Sequence, residues 1–287
     1  MADIPRLNGI IRALESGQPA FTCFAQADIE TAVALGASKF DGIIFEMEHS
    51  PWDPRALRDA LQYMLGRAQI AKSGSVAPAV TPLVRIPPNG GEMNQHFAKQ
   101  ALDLGVYGIV WPHISTVEQA RNAVAACRYP RLQTAPRYEP AGVRGDWPAA
   151  AARYWGLDAQ EYYARADVWP LDPKGEILVV LMIEDTLGIA NLPDILKNVP
   201  GIGVVMIGQG DLSQELGAPR KYDTPVFLEH KARILRACKE HNVVAGFPHA
   251  GTGNMEKVLA EGYRFIMAAP ARDYSGLDKG RQLSGRM

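Results

Sequence analysis

The sequence has few cysteines, no long hydrophobic run and no excess of charge of either sign. Its three cysteines, Cys23, Cys127 and Cys238, are far apart, which argues against a disulfide framework or a structural zinc site. No apolar run approaches the ~18 residues that a membrane-spanning helix needs, and the stretch from Met1 to Arg12 has no apolar signal core. We therefore expect a cytoplasmic protein with reduced thiols.

The charge balance argues against nucleic acid and anionic membranes as partners. The chain has 30 Lys and Arg against 31 Asp and Glu, and no basic run. With 47% hydrophobic and 21% charged residues, the composition is that of a globular protein with a sizeable core rather than a disordered chain. We expect a small-molecule partner and a single domain spanning residues 1–287, because one α/β barrel commonly takes about 250 residues.

Short apolar runs recur at intervals that leave room for a helix between them. They are nearly continuous rather than alternating, which is typical of parallel strands covered on both faces. Eight such strands predict an α/β protein with a (β/α)8 TIM barrel fold, although an open doubly wound sheet stays possible at this stage. The runs are Ala20–Phe24, Phe40–Phe45, Pro82–Ile86, Tyr107–Trp111, Ile177–Ile183, Val204–Ile207, Val243–Phe247 and Phe265–Ala268.

Helix start and stop signals fill the gaps between these runs. Asp53 and Pro54 predict an N-cap and a first-turn proline, and Ser115 with Glu118 predicts a capping box. Glycines that follow helical stretches predict left-handed helix ends at Gly36, Gly105 and Gly262.

One stretch is irregular. Residues 130–175 are rich in Pro, Trp and Tyr and contain a short helical piece near 149–166. We interpret this stretch as a long loop insertion at the top of the barrel, where such loops serve as lids, binding loops or oligomer contacts.

Polar residues end several of the apolar runs, and barrel enzymes place their active sites at these carboxyl ends. Glu184 and Asp211 end neighbouring strands, which lie about 4.8 Å apart in a sheet. Two carboxylates at such a short distance from each other bind a cation, share a proton or pair with arginine. We favour a site for Mg²⁺, Mn²⁺ or Co²⁺ formed by oxygen ligands, and a strand-end salt bridge is the alternative.

Other polar residues at the same expected end suggest acid–base chemistry. His49 follows Glu46 and Glu48, and a carboxylate beside an imidazole raises its basicity, so we interpret His49 as a general acid or base rather than a structural histidine. Arg85 offers a fork of donors to a carboxylate or an enolate oxygen, or else pairs with one of the two glutamates.

The turn Gly208-Gln209-Gly210 permits close backbone approach, so its amides are candidates to hold a substrate carboxylate. A tight turn that needs flexible dihedral angles explains these glycines equally well. His113 and His249 fall at the same expected rim and are weaker candidates for substrate contact.

At these residues the chain resembles the HpcH/HpaI family of metal-dependent 2-oxo acid aldolases, which is related to the citrate lyase β-subunit superfamily. The resemblance spans nearly the whole chain. Its motifs are Phe40-Asp41, Glu48-His49-Ser50-Pro51, Val84-Arg85-Ile86-Pro87, Ala101-Leu102-Asp103-Leu104-Gly105, Glu118-Gln119-Ala120-Arg121, Gly142-Val143-Arg144-Gly145, Ile183-Glu184 and Asp211-Leu212-Ser213.

The resemblance implies a role for each matching residue. Glu184 and Asp211 fall on the metal ligands, His49 on the acid/base and Arg85 on the enolate-stabilising arginine. Glu46 matches the position that orients the histidine. The remaining matches are Glu48, which would hold metal-bound waters, and Asp103, near the subunit interface, which would help to complete the pocket. The resemblance also implies a last helix packed on a neighbouring subunit and a hexamer built as a trimer of dimers.

Two site positions depart from the family pattern. Relatives usually have Gln where this chain has Met182, and Pro where it has Gln209, and both positions are expected to contact substrate.

From the resemblance and the matching site residues we predict a class II aldolase that reversibly cleaves a 4-hydroxy-2-oxo acid to pyruvate and an aldehyde through a metal-bound enolate. The alternatives are oxaloacetate decarboxylation, an acyl-CoA lyase of the malyl or citramalyl type, and a barrel retained as a non-enzymatic scaffold.

Overall fold

The computed structural model describes residues 5–88, 93 and 95–286, in which strands and helices alternate along the chain. The strands are β1 Ala20–Thr22, β2 Phe24–Ala25, β3 Gly42–Glu46, β4 Thr81–Arg85, β5 Gly108–Trp111, β6 Val168–Trp169, β7 Ile177–Ile183, β8 Val204–Ile207, β9 Val244–Ala250 and β10 Phe265–Ala268. The helices are α1 Gly9–Glu15, α2 Ile29–Gly36, α3 Pro54–Met64, α4 Arg67–Ser73, α5 His96–Leu104, α6 Val117–Ala126, α7 Ala149–Trp155, α8 Ala159–Tyr163, α9 Thr186–Asn198, α10 Gln209–Glu215, α11 Pro225–Glu240, α12 Met255–Glu261 and α13 Ser275–Leu283.

The strands form a parallel sheet that closes on itself. β1 and β2 are separated only by Cys23 and together make the first strand of the barrel. β1 pairs with β10, and β2 pairs with β3, so the first and last strands meet. The intervening pairs follow the order β3, β4, β5, β7, β8, β9, β10, while the short β6 pairs only with β7. The predicted (β/α)8 barrel is confirmed, and the open doubly wound sheet is excluded.

The strands are buried on both faces, which explains their continuous apolar character. On β3, Ile44 belongs to a cluster inside the barrel, whereas Ile43 and Phe45 belong to the larger core between strands and helices. Ile10 and Ile11 of α1 join the inner cluster. Because α1 is tied to the residue just before β7, where Glu176 accepts from the Leu7 and Asn8 N–H groups, it closes the end of the barrel at which the strands begin. The opposite end is left for a binding site.

Most of the predicted helix ends are confirmed. Asp53 caps α3 with Pro54 in its first turn. Gly105 and Gly262 end α5 and α12 in the left-handed conformation, with φ of 109° and 103°. Gly36 does not: it is the last residue of α2, and a Cβ there would lie 3.2 Å from the Cα of Met64. Close packing of α2 on α3, rather than a left-handed turn, accounts for this glycine.

The capping box of α6 lies one residue beyond the predicted one. Thr116 is the N-cap, and its partner is Gln119, whose side chain accepts from the Thr116 N–H. The Ser115 hydroxyl is instead hydrogen-bonded to Asp185, at the start of the helix that follows β7. The prediction of Ser115 with Glu118 was therefore wrong, because a contact distant in sequence takes the serine.

The irregular stretch, residues 130–175, lies at the other end of the barrel from the one predicted. α6 has already returned the chain to the end where the strands begin, and β6 pairs with the first two residues of β7. The stretch contains α7 and α8, and its Trp155 is fully buried, stacked on Tyr107 with ring centroids 4.4 Å apart. This part of the chain packs against the base of the barrel.

The last helix packs on its own chain. Leu277 of α13 is 1% exposed, and Gly280 faces the ring of Phe21 on β1. Exchange of this helix between subunits stays a prediction. Among the described residues, none of the helices has both the length and the apolarity to cross a membrane.

Candidate active site

A cavity of about 440 Å³ opens at the carboxyl ends of the barrel strands. It brings together nine of the eleven residues that the sequence predicted for the site: Glu46, His49, Arg85, Met182, Glu184, Gly208, Gln209, Gly210 and Asp211. Glu48 lies just behind its wall, with a side chain that is 3% exposed, and Asp103 lies elsewhere.

Glu184 and Asp211 lie side by side as expected. Glu184 follows the last residue of β7, and Asp211 lies in the first turn of α10, directly after β8. Ligand atoms of these two residues and of His113 all lie within 4.8 Å of one another. Glu184 is 2% exposed, and its burial raises the pKa of the carboxyl to about 7, with the charges of Glu48 and Asp211 acting in the same direction. A bound cation would relieve this cost.

Gly208 makes room for the Glu184 carboxylate. A Cβ at residue 208 would lie 2.2 Å from both the Cβ and Oε2 of Glu184. The Gly208 N–H donates to the Ile183 carbonyl at 3.0 Å, so this amide is not available to a ligand, and its predicted role in holding a substrate carboxylate is wrong. Gly210 is different, since a Cβ there would have 4.0 Å of space before it meets Arg220.

Arg85 is fixed by the two glutamates that precede His49. Its Nε donates to Glu46 Oε2 at 2.7 Å, and its Nη1 lies 2.8 Å from Glu48 Oε2. The guanidinium stacks on the ring of Phe24, 4.4 Å from the centroid, and Nη1 contacts the sulfur of Met182 at 3.7 Å. The ion pairs that the sequence left as an alternative therefore exist, and they hold Arg85 in place at the cavity wall.

Glu46 acts on the backbone of the turn rather than on the imidazole of His49. Its Oε1 accepts from the N–H groups of Glu48 and His49, at 2.8 and 3.0 Å. The nearest carboxylate to the imidazole is Glu48, whose Oε2 lies 3.7 Å from His49 Nε2. The ring is 68% exposed at the mouth of the cavity, so it is free to meet a substrate.

His113 bridges two of the acidic residues. It follows β5 with a left-handed φ of 54°, and its N–H donates to Glu184 Oε1 at 2.6 Å. Its Nε2 lies 3.2 Å from Glu48 Oε1, and its Nδ1 lies 3.7 Å from Glu184 Oε1. The hydrogen bond to Glu48, together with the charge of Glu184, raises the pKa of His113 to about 9.

Asp103 does not reach this cavity within the chain. It lies near the end of α5, where its Oδ1 accepts from Arg144 Nη2 at 3.0 Å, and burial raises its pKa. Because α5 ends where β5 begins, Asp103 lies toward the opposite end of the barrel. A role near the subunit interface in completing the pocket stays a prediction.

The sequence model of the HpcH/HpaI aldolase/citrate lyase family matches residues 21–270, which include every one of these residues. The chain belongs to this family.

Relatives and solved structures to which the chain is similar agree with this assignment. The chain is 30% identical over 264 residues to a hydroxypyruvate/pyruvate aldolase of Roseobacter denitrificans, covering 92% of this chain and 91% of the relative. An HpcH/HpaI family protein of Burkholderia cenocepacia superposes with a TM-score of 0.74 at 25% identity, covering 97% and 98% of the two chains. The protein CitE of Mycobacterium tuberculosis, solved with magnesium and acetate, shares the fold at 14% identity, with a TM-score of 0.57 and coverage of 94% and 92%.

These findings make the protein a carbon–carbon lyase, an aldolase of a family that generally depends on a divalent metal. The alternative of a non-enzymatic scaffold is thereby excluded. The residues present fit such a metal, because two carboxylates and an imidazole converge there and one carboxylate is buried at a cost that a cation would offset.

The aldolase cavity also contains residues that were not predicted from the sequence. Arg220 and Tyr222 follow α10, and Arg272 follows β10. They lie several residues beyond the strand ends, so position after an apolar run does not predict them. His249, a weaker candidate, does line the cavity, and its pKa is lowered by burial and by the charges of Arg220 and Arg85.

Proposed function

We propose that this aldolase cleaves a 4-hydroxy-2-oxo acid reversibly to pyruvate and an aldehyde, and that it requires a divalent ion at Glu184 and Asp211. The observation that carries the proposal is the convergence of these two carboxylates with Arg85 in one cavity. A Schiff-base route would need a lysine there, and none lies among the described residues that line the cavity. The hydroxypyruvate/pyruvate aldolase relative supports pyruvate as the product.

Glu184 and Asp211 would hold the ion, with Glu48 near enough to orient water around it. When bound, the ion supplies Lewis-acid polarisation of the 2-oxo group, which is worth several kcal/mol. Mg²⁺, Mn²⁺ and Co²⁺ all suit oxygen ligands of this kind.

The protein's own residues handle the charge and the protons. In cleavage, His49 accepts the proton of the C4 hydroxyl, the C3–C4 bond breaks, and its electron pair moves into the C2–C3 bond to leave an enolate and a free aldehyde. Arg85 donates to the enolate oxygen from a guanidinium already fixed by Glu46 and Glu48, so little reorganisation is needed. A proton returned to C3 completes pyruvate.

Gln209 and Gly210 line the cavity beside Asp211, and their amides are our candidates to hold the substrate carboxylate. Gly208 contributes space rather than a hydrogen bond, as described above. Met182 replaces a polar donor with an apolar side chain that is 5% exposed against Arg85.

Two arginines at the cavity wall suggest an acidic acceptor. Arg272 donates to Thr31 at 3.0 Å, and Arg220 lies beside Gly210 and close enough to His249 to lower its pKa. Guanidinium groups in such positions favour an aldehyde that carries a carboxylate.

Pyruvate release from 4-hydroxy-2-oxo acids, with and without a terminal carboxylate, tests the proposal. The chelator-treated protein is resupplied with Mg²⁺, Mn²⁺ or Co²⁺, and the Glu184→Ala and Asp211→Ala variants serve as site controls. We expect metal-dependent release that both variants lose, and a higher kcat/KM for the acidic substrates. Folded protein that releases no pyruvate with any metal would exclude aldol cleavage. Oxaloacetate, which yields the same enolate by decarboxylation, and malyl-CoA would then be tested.

The hexamer implied by the family resemblance is also a proposal. Light scattering would show a mass six times that of the 31.3 kDa chain.

A further inference from the structure

The geometry around His113 points to a third protein ligand for the metal. We propose that His113 coordinates the ion through Nδ1 beside Glu184 and Asp211, and that this imidazole shifts the preference of the site from Mg²⁺ toward Co²⁺ and similar transition ions. The inference rests on the metal site of the proposed function and adds to it a ligand of a different chemical kind.

The positions of the three side chains are the first support. Ligand atoms of His113, Glu184 and Asp211 lie within 4.8 Å of one another, and His113 Nδ1 lies 3.7 Å from Glu184 Oε1. Few rearrangements are needed to bring them around one ion, because the His113 backbone N–H already holds the same Glu184 oxygen at 2.6 Å.

The other ring nitrogen provides independent support. His113 Nε2 lies 3.2 Å from Glu48 Oε1, and the side chain of Glu48 is 3% exposed. A metal-binding histidine commonly donates the N–H of its other ring nitrogen to a carboxylate, which fixes the tautomer and leaves the lone pair of the first nitrogen free to coordinate. Arg85 holds Glu48 from the other side at 2.8 Å, so the carboxylate cannot easily turn away.

The backbone conformation of His113 accompanies a ring position between two glutamates. With its φ of 54° in the left-handed region, the ring lies between Glu48, which follows β3, and Glu184, which follows β7.

The choice of metal follows from the ligand type. Carboxylate and water suit Mg²⁺, whereas an imidazole raises the affinity of a site for Co²⁺, Ni²⁺ and Zn²⁺. A site with two carboxylates and one imidazole should therefore discriminate more strongly against Mg²⁺ than one formed by carboxylates alone.

The test compares His113→Asn with His249→Asn in the full chain. Asparagine tolerates positive φ, which is 54° at residue 113 and 57° at residue 249, so both variants keep their backbone. Calorimetric titration of the chelator-treated proteins should show that His113→Asn reduces Co²⁺ affinity at least about 10-fold, which is the lower end of the losses seen when residues around a metal are changed. The change in Mg²⁺ affinity should be smaller. His249→Asn should bind both ions as the wild type does.

A spectroscopic measurement identifies the ligand directly. In the Co²⁺-loaded protein the N–H proton of a coordinated imidazole gives a strongly shifted NMR signal that disappears in D₂O. We expect one such signal in the wild type and in His249→Asn, and none in His113→Asn. Persistence of the signal in His113→Asn, or its absence from the wild type, would overturn the inference.

A double-variant cycle distinguishes two roles for Glu48: holding the His113 imidazole and holding water around the ion. If Glu48 acts through His113, Glu48→Gln lowers Co²⁺ affinity in the wild type but not in the His113→Asn background. Equal losses in both backgrounds contradict this pairing. Failure of these tests, with metal binding still abolished in Glu184→Ala, would reject His113 as a ligand and leave the proposed function standing.

Discussion

The close approach of the Glu184 side chain to Gly208 explains why the turn after β8 contains a glycine. A Cβ at Gly208 would overlap both the Cβ and the carboxylate of Glu184, whose side chain is buried. We predict that Gly208→Ala displaces the Glu184 carboxylate and reduces divalent-metal affinity at least about 10-fold, since changes around metal ligands commonly cost this much. Calorimetric titration with Mn²⁺ measures the effect.

Gly210→Ala is the matched control, because it adds the same methyl group two residues later, where 4.0 Å of space remains. It should bind Mn²⁺ as the wild type does. If both alanine variants bind the ion equally well, the crowding of Glu184 does not govern the site.

Strand-end residues could be predicted from sequence because a parallel barrel brings the ends of its strands together. This reasoning found Glu184, Asp211 and Arg85. It assigned Glu46 to the wrong atoms of His49, since the choice between a backbone N–H and an imidazole depends on side-chain geometry that sequence spacing does not contain.

At the scale of elements, the apolar runs located the barrel strands because burial on both faces leaves a strong, local signal. Helix ends were harder to predict, because their capping side chains also bond to residues that are distant in sequence. Ser115 has the sequence of a cap, but its hydroxyl bonds to Asp185, 70 residues away. The prediction for residues 130–175 was wrong because α6 precedes them and has already returned the chain to the end where the strands begin.

A buried tryptophan in residues 130–175 allows a test of the structural role of this stretch. Trp155 is fully buried, stacks on Tyr107 and donates to the Gly105 carbonyl at 2.8 Å, so its replacement leaves a large cavity. We expect Trp155→Ala to lower the free energy of unfolding by ~3–5 kcal/mol, measured in urea, while metal affinity stays unchanged.

Trp147, in the same stretch, is 68% exposed and supplies the comparison. Trp147→Ala should change stability by no more than about 0.5 kcal/mol. If the stretch instead serves as a lid, Trp155→Ala would alter KM or metal affinity in protein that remains folded, and the structural interpretation would be wrong.

At the scale of the whole molecule, the buried acid at the site should make stability depend on pH when metal is absent. Burial raises the pKa of Glu184 from 4.5 to about 7, so the folded protein binds this proton more tightly than the unfolded chain does. The resulting stabilisation is fully present below pH 4.5 and is lost as the pH rises to about 7. His113, whose pKa is raised from 6.5 to about 9, extends the loss with the same sign.

Urea unfolding of the chelator-treated protein at pH values between 4.5, the pKa of Glu184 in the unfolded chain, and about 7, its pKa in the folded protein, measures the effect. The wild type should become steadily less stable with rising pH, and Glu184→Gln, which carries no titrating group at this position, should fall less steeply. Glu229→Gln removes an exposed glutamate from α11 and should retain the wild-type slope. Parallel curves for all three proteins would contradict this prediction. They would mean that the Glu184 carboxylate is solvated in the metal-free protein and that a cation is not needed to offset its burial.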